Sequence, residues 1–243
     1  MTRTACQACP LRNREIFVPF SADELAFMQT FKTGELVVDA GTTILLEGSA
    51  SPQLYTVLSG MGTRSKTLEN GRRQVINFLF PGDFTGLQSS IMGEMKHSVE
   101  TSTRMTLCAF RREDLWSLFR SHPERAYDLT WIAAVEEHFL GETIASLGQR
   151  DATQRVSWAL VRIHERLRAV GLFTGGTVPL PFRQQDLADA LGLSLVHTNK
   201  TLQALRAQNL IQWSDGRLAI KNLKAMADLA IVDLELPEKR PLM

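Results

Sequence analysis

Apolar positions along the chain change their period near residue 112. Between 32 and 112 the apolar runs are short and punctuated by Gly34, Gly41, Gly48, Gly60, Gly62, Gly71, Gly82 and Gly86. Turn signals about 8–12 residues apart predict an antiparallel β-barrel or sandwich. Leu54-Tyr55-Thr56-Val57-Leu58 before Ser59-Gly60 reads as one strand ending in a turn. Asn70-Gly71 predicts a type I′ hairpin, because both residues tolerate positive φ. After Arg112 the period becomes helical. A short helix over 113–119 stops at His122-Pro123, and a long one over 126–147 contains no proline. Within it Leu129, Ile132, Val135 and Phe139 recur at three- and four-residue steps as one apolar stripe. Such a stripe packs either on its own barrel or on a twin helix in a homodimer. Gly148 to Asp151 reads as a hinge, with Asp151 capping a helix over 152–168.

Beyond the hinge the elements are short. Gly171, Gly175-Gly176, Pro179 and Pro181 mark a connector in which Val178, Leu180 and Phe182 alternate as a small strand. A helix over 184–191, a turn at Gly192 and a helix over 194–208 follow. A hairpin around Ser214-Asp215-Gly216 and a helix over 223–232 complete a winged helix-turn-helix order. In that order the second helix enters the major groove of DNA. Leu195, Thr198, Leu202 and Leu205 take its core-facing positions, leaving Ser194, Val196, His197, Asn199, Lys200 and Gln203 for the groove. Asn bonds adenine bidentately, and Lys donates to guanine or phosphate. Gln184 opens the preceding helix within reach of a phosphate. Arg183, Lys221 and Lys224 are further backbone candidates. The expected division is therefore α+β: an N-terminal arm and β-roll sensor over 1–125, a dimerisation helix and hinge over 126–150, a winged helix-turn-helix over 151–236, and a frayed tail over 237–243.

Charge refines this division. The whole chain of 243 residues carries a formal net charge of only +1. Split at Gly148, the first part has 14 basic and 17 acidic residues and the second 13 and 9, so the reader half is the basic one. No apolar run of signal-peptide or membrane-spanning length is present, which predicts a cytoplasmic protein with no membrane partner. The five histidines show no His-x-His or His-x-x-x-His spacing, which argues against a cupin-like metalloenzyme on the same barrel. Neither a Gly-x-Ser-x-Gly nor a phosphate-loop motif occurs, and no enzyme is expected.

Three signals together resemble the cyclic-AMP receptor protein / fumarate-nitrate reduction regulator (Crp/Fnr) family of bacterial transcription regulators. They are the glycine-punctuated barrel with Phe80-Pro81-Gly82-Asp83-Phe84, the long helix followed by Arg150-Asp151-Ala152 and Arg155, and Gln185 to Ser194 followed by a helix. The resemblance implies a cyclic-nucleotide-binding-like β-roll, a dimerisation helix, a palindromic DNA site and contact with RNA polymerase. Family members usually carry Glu, Ser or Gly, and Arg where Val196, Asn199 and Lys200 stand, so a different half-site sequence is expected. Cyclic-nucleotide-binding members have Gly-Glu and Arg-Ser or Arg-Thr pairs, where this chain has Gly86-Leu87 and His97-Ser98. A cyclic-nucleotide-responsive regulator is therefore the disfavoured alternative.

Cys6-x-x-Cys9 and the distant Cys108 resemble the oxygen-sensing members, which implies a four-iron cluster with these three residues as metal ligands. Those members place another cysteine after Cys9 with five or seven residues between, where Glu15 and Phe17 stand here. A redox-switchable disulfide, a zinc site with other ligands, and a structural pair beside a buried strand cysteine all remain open.

Overall fold

The computed structural model describes residues 4–234 and 237–243. The chain forms two compact units. One comprises Met1–Arg72, Ile76–Glu137 and Lys239–Met243; the other comprises Arg73–Val75 and His138–Glu238. The division falls inside the long helix, upstream of the expected hinge. The expected boundary at 236 lies outside the described residues.

The first unit is built on β1 (Lys32–Val38), β2 (Thr43–Leu45), β3 (Gln53–Ser59), β4 (Gly62–Thr67), β5 (Arg73–Leu79), β6 (Phe84–Thr85), β7 (Ser98–Thr101) and β8 (Met105–Arg111). They form two four-stranded sheets in the orders β1-β8-β3-β6 and β2-β7-β4-β5. Leu45, Tyr55, Val57, Leu79, Val99, Met105 and Leu107 form the core of this β-roll. The helices are α1 (Ala22–Phe31), α2 (Leu87–Met92), α3 (Leu115–Ser121) and α4 (Pro123–Gln149). α1 starts with a capping box, Ser21 accepting from the Glu24 amide and Glu24 from that of Ser21.

Three expectations about this unit are corrected. The turn at Asn70-Gly71 belongs to a longer loop. Only Gly71 takes positive φ, and Asn70 instead accepts from the Arg72 amide at 3.0 Å. The stripe on α4 does not form one pairing seam. Leu129 and Ile132 are buried within their own chain at 2% and 7% exposure, and Phe139 stacks on Trp158, with ring centroids 6.2 Å apart. Of the four, only Val135 remains exposed. Apolar surface within its own chain thus covers the rest of the stripe before any second chain is needed. The segment 237–243 is not frayed throughout: Leu242 and Met243 are buried.

In the second unit, α5 (Ala152–Ala169) begins at Asp151, which accepts from the Gln154 amide at 2.9 Å. β9 (Val178–Pro179), α6 (Gln184–Leu191), α7 (Leu195–Ala207), β10 (Ile211–Ser214), β11 (Arg217–Ile220) and α8 (Leu223–Ala230) follow in the expected order. The hairpin between β10 and β11 turns on Asp215 at φ 52° and Gly216 at φ 67°. That is the type I′ pattern expected earlier at Asn70-Gly71.

Candidate nucleic-acid interface

α7 is aimed by its ends and its buried face. Gly192, at φ 62°, turns the chain out of α6, and Ser194 caps α7 by accepting from the His197 amide at 3.2 Å. Thr198, Leu202 and Leu205 are fully buried and Thr201 is 6% exposed, which fixes the helix's rotation. Leu195, expected in the core, is 40% exposed. It lies in the first turn, where the neighbouring helix no longer covers it, and Thr201 fills the inward row instead. Ser194, Val196, His197, Lys200 and Gln203 are exposed together on the opposite face. Asn199 is half-buried, and its side-chain oxygen has no protein hydrogen-bond partner.

Flanking groups frame this face. Gln184 is half-buried at the start of α6. Arg183 caps that helix through Asp186: its guanidinium donates to Asp186 Oδ2 at 3.1 Å and to Oδ1 at 2.9 Å. Burial alone would raise the Asp186 pKa, but the hydrogen bonds from Arg183 outweigh it and hold the carboxyl below its ordinary value. The wing is stiffened by Arg217, which donates to Thr177 Oγ1 at 2.7 Å and Thr174 Oγ1 at 3.0 Å. Trp213 donates to the Leu180 carbonyl at 3.0 Å. Lys221 and Lys224 are exposed.

The interior of the roll is charged and closed on itself. Arg64 donates from Nη1 to Glu136 Oε2 at 2.5 Å and from Nη2 to the Phe84 carbonyl at 2.6 Å. Asn77 also donates to Glu136, at 3.3 Å. Burial, with the Arg64 charge nearby, pushes His97 down to about 4, so this ring is neutral at pH 7. Leu87 presents no carboxylate after Gly86. No local signal marks Arg64, whose partner lies 72 residues away.

Cys6, Cys9 and Cys108 meet at one cavity of about 30 Å³, shared with Lys32, Leu242 and Met243. None is in a disulfide. Burial pushes the Cys108 thiol up to about 11, against the pull of Lys32. Glu15 is exposed and does not line the cavity. Three thiols around a space for about one water do not fit a four-iron cluster, which needs four donors and far more room. Among the described residues no group of three or more His, Cys, Asp or Glu is arranged to hold a metal ion. The structure thus brings the three cysteines to one cavity, whose wall Leu242 and Met243 share, without arranging them as a ligand set.

A cyclic nucleotide-binding domain model matches residues 35–122, and a Crp-like helix-turn-helix domain model matches residues 154–229. The nitrogen fixation regulation protein FixK of Rhizobium meliloti is 30% identical over 179 residues, 73% of this chain and 77% of that one. The chain belongs to the Crp/Fnr family. This Crp/Fnr regulator is also 29% identical to FixK of Bradyrhizobium diazoefficiens over 216 residues, 88% of this chain and 89% of that one. It shares its fold with FixK2 from Bradyrhizobium japonicum, at a TM-score of 0.74 and 24% identity, covering 83% of this chain and 98% of that one. The family and the winged helix-turn-helix make it a DNA-binding transcription regulator. No described helix is long and apolar enough to cross a membrane.

Proposed function

We propose that this regulator works in the cytoplasm as a homodimer on a palindromic operator, with one α7 per half-site and half-site centres roughly 34 Å apart. Its first unit carries the signal, with the roll and the cysteines as the candidate inputs, and the operator complex contacts RNA polymerase. The observation that carries this reading is the single exposed face of α7, where Ser194, Val196, His197, Lys200 and Gln203 stand clear of the core. Asn199 is half-buried at the edge of this face and carries the side-chain amide type that bonds adenine bidentately. Gln184 and Lys221 supply phosphate contacts that set register without reading sequence.

Homodimer formation draws support from α4, where Tyr127 and Ile144 are each 70% exposed and Val135 and Leu140 each 40%. Exposed apolar side chains of this size along one helix call for a covering partner. Of the expected pairing positions Val135 is the exposed one, and we place the seam of the first unit at Val135 with Tyr127, about 80° apart on the helix.

The test is footprinting and titration of Lys200→Ala and Asn199→Ala on the selected operator. Each loses about 1–3 kcal/mol of operator preference, roughly 5- to 150-fold, with an unchanged thermal melt and dimer mass. Full operator affinity and an unchanged footprint in both variants would place the reading face elsewhere.

A further inference from the structure

Residues 239–243 carry contacts that neither the DNA-reading face nor the roll interior requires. The Arg240 amide donates to the Ile16 carbonyl at 2.8 Å, and the Val18 amide donates to the Arg240 carbonyl at 2.9 Å. These bonds lay the segment beside Phe17 as a short parallel bridge. The Arg240 guanidinium reaches Asp83 Oδ1 at 3.1 Å, and Asp83 itself is 2% exposed. The other Asp83 oxygen accepts from the Phe80 amide at 2.9 Å. Thr56 donates its hydroxyl to the Met243 carbonyl at 2.5 Å, and Arg125 donates to that of Leu242 at 3.2 Å. Leu242 and Met243 are 4% and 5% exposed and form part of the wall of the cysteine cavity.

We propose that residues 239–243 form a strap that seals a thiol chamber: Arg240 latches on Asp83, while Leu242 and Met243 cover Cys9 and Cys108. The cavity has room for about one water, so a thiol reagent or oxidant larger than water reaches Cys108 only when the strap lifts. The chamber holds three sulfurs and the buried Lys32, whose ammonium donates to the Thr4 carbonyl at 2.7 Å and to Glu35 at 2.6 Å. Burial raises the Cys108 thiol, and the Lys32 charge pulls it down. Lifting the strap admits water beside that ammonium, which favours the thiolate and makes Cys108 the reactive member of the group. The strap thus decides whether this cysteine is inert or chemically available.

Pulse alkylation of the reduced full-length protein with iodoacetamide, followed residue by residue by mass spectrometry, tests the proposal. Cys108 is expected to label at least tenfold faster in a chain stopped after Glu238. Arg240→Ala gives an intermediate rate, and Arg240→Lys stays within threefold of the unaltered protein. A thermal melt identifies the folded variants. Hydrogen exchange on the unaltered protein provides a readout that needs no variant, with slow exchange expected at the Val18 and Arg240 amides. Equal Cys108 labelling in folded full-length and shortened chains would overturn the proposal. Exchange of both amides at unstructured rates would overturn it as well.

Discussion

The first unit buries Lys32, Arg64, Asp83 and Arg125 among its strands and helices, whereas α7 of the second keeps His197, Lys200 and Gln203 in solvent. A buried charge is tolerable only with a dedicated partner, and each of these has one: Glu35 for Lys32, Glu136 for Arg64, Arg240 for Asp83, and Asp128 for Arg125. The exposed charges of α7 need no internal partner and stay available to an external one. Buried pairs fix the relation of distant segments, and exposed polar rows recognise a second molecule. In this regulator the first unit holds most of the buried pairs, Asp186 with Arg183 being their counterpart in the second, and the exposed polar row belongs to α7.

The comparison can be broken most sharply at Gly82, next to the latch. It sits at φ +91°, and a Cβ there would lie 2.3 Å from Phe17 Cζ. Gly82→Ala is expected to cost about 4 kcal/mol or more, from backbone strain and displacement of a buried ring. Chemical denaturation of the first unit measures it, and a loss below about 1 kcal/mol would mean that Phe17 moves aside freely.

The Arg64–Glu136 pair comes next. Arg64→Met leaves Glu136 without its cation and is expected to cost about 2–3 kcal/mol. That lies below the range for a fully buried pair, because the Glu136 side chain is 30% exposed. Adding Glu136→Met should recover most of the loss in a double-mutant cycle; strict additivity would show that the pair has no mutual energy.

The third effect depends on pH. His97 falls from 6.5 to about 4 on folding, so the unfolded chain binds the extra proton first. Nothing is lost above pH 6.5. Stability falls as pH drops from about 6.5 to about 4, by roughly 3 kcal/mol at most, and the His97 contribution is flat below that. His97→Gln should remove this part of the pH dependence, so an unchanged profile would assign it to other groups. The smallest effect is expected in the second unit. Ser194→Ala removes one helix cap and costs about 1 kcal/mol of stability, read as a lower melting temperature.

The two units also differed in how far sequence could reveal them. Asp151, Gly192, Ser194 and Asp215-Gly216 are local signals, each acting within three or four residues. They placed α5, α6, α7 and the wing within a residue or two. α1 was equally local, with Ser21 and Glu24 spaced as a capping box, yet no expectation of a helix was formed there. Leu195 and Thr201 exchanged roles because periodicity gives a helix its faces but not where a neighbouring element ends. The roll was legible as a pattern of strands but not as a set of pairs. In Gly62-Thr63-Arg64-Ser65 nothing distinguishes a solvent-facing arginine from one reaching Glu136. The same holds for Arg240 and Asp83, 157 positions apart, and for the three cysteines. Cysteine spacing suggested a cluster, while the cavity the three cysteines line is only about 30 Å³.

Because Lys239–Met243 belong to the first unit, the DNA-reading unit is topologically an insertion rather than an appendage. A domain hung from one hinge can swivel about it. A domain whose chain leaves and returns to the same body is a closed loop, with fewer accessible orientations and less entropy to lose on meeting a rigid duplex. The connector between α8 and Lys239 sets the slack in that loop. Lengthening or shortening this connector should therefore tune the entropic cost of operator binding while leaving every side chain that touches DNA unchanged.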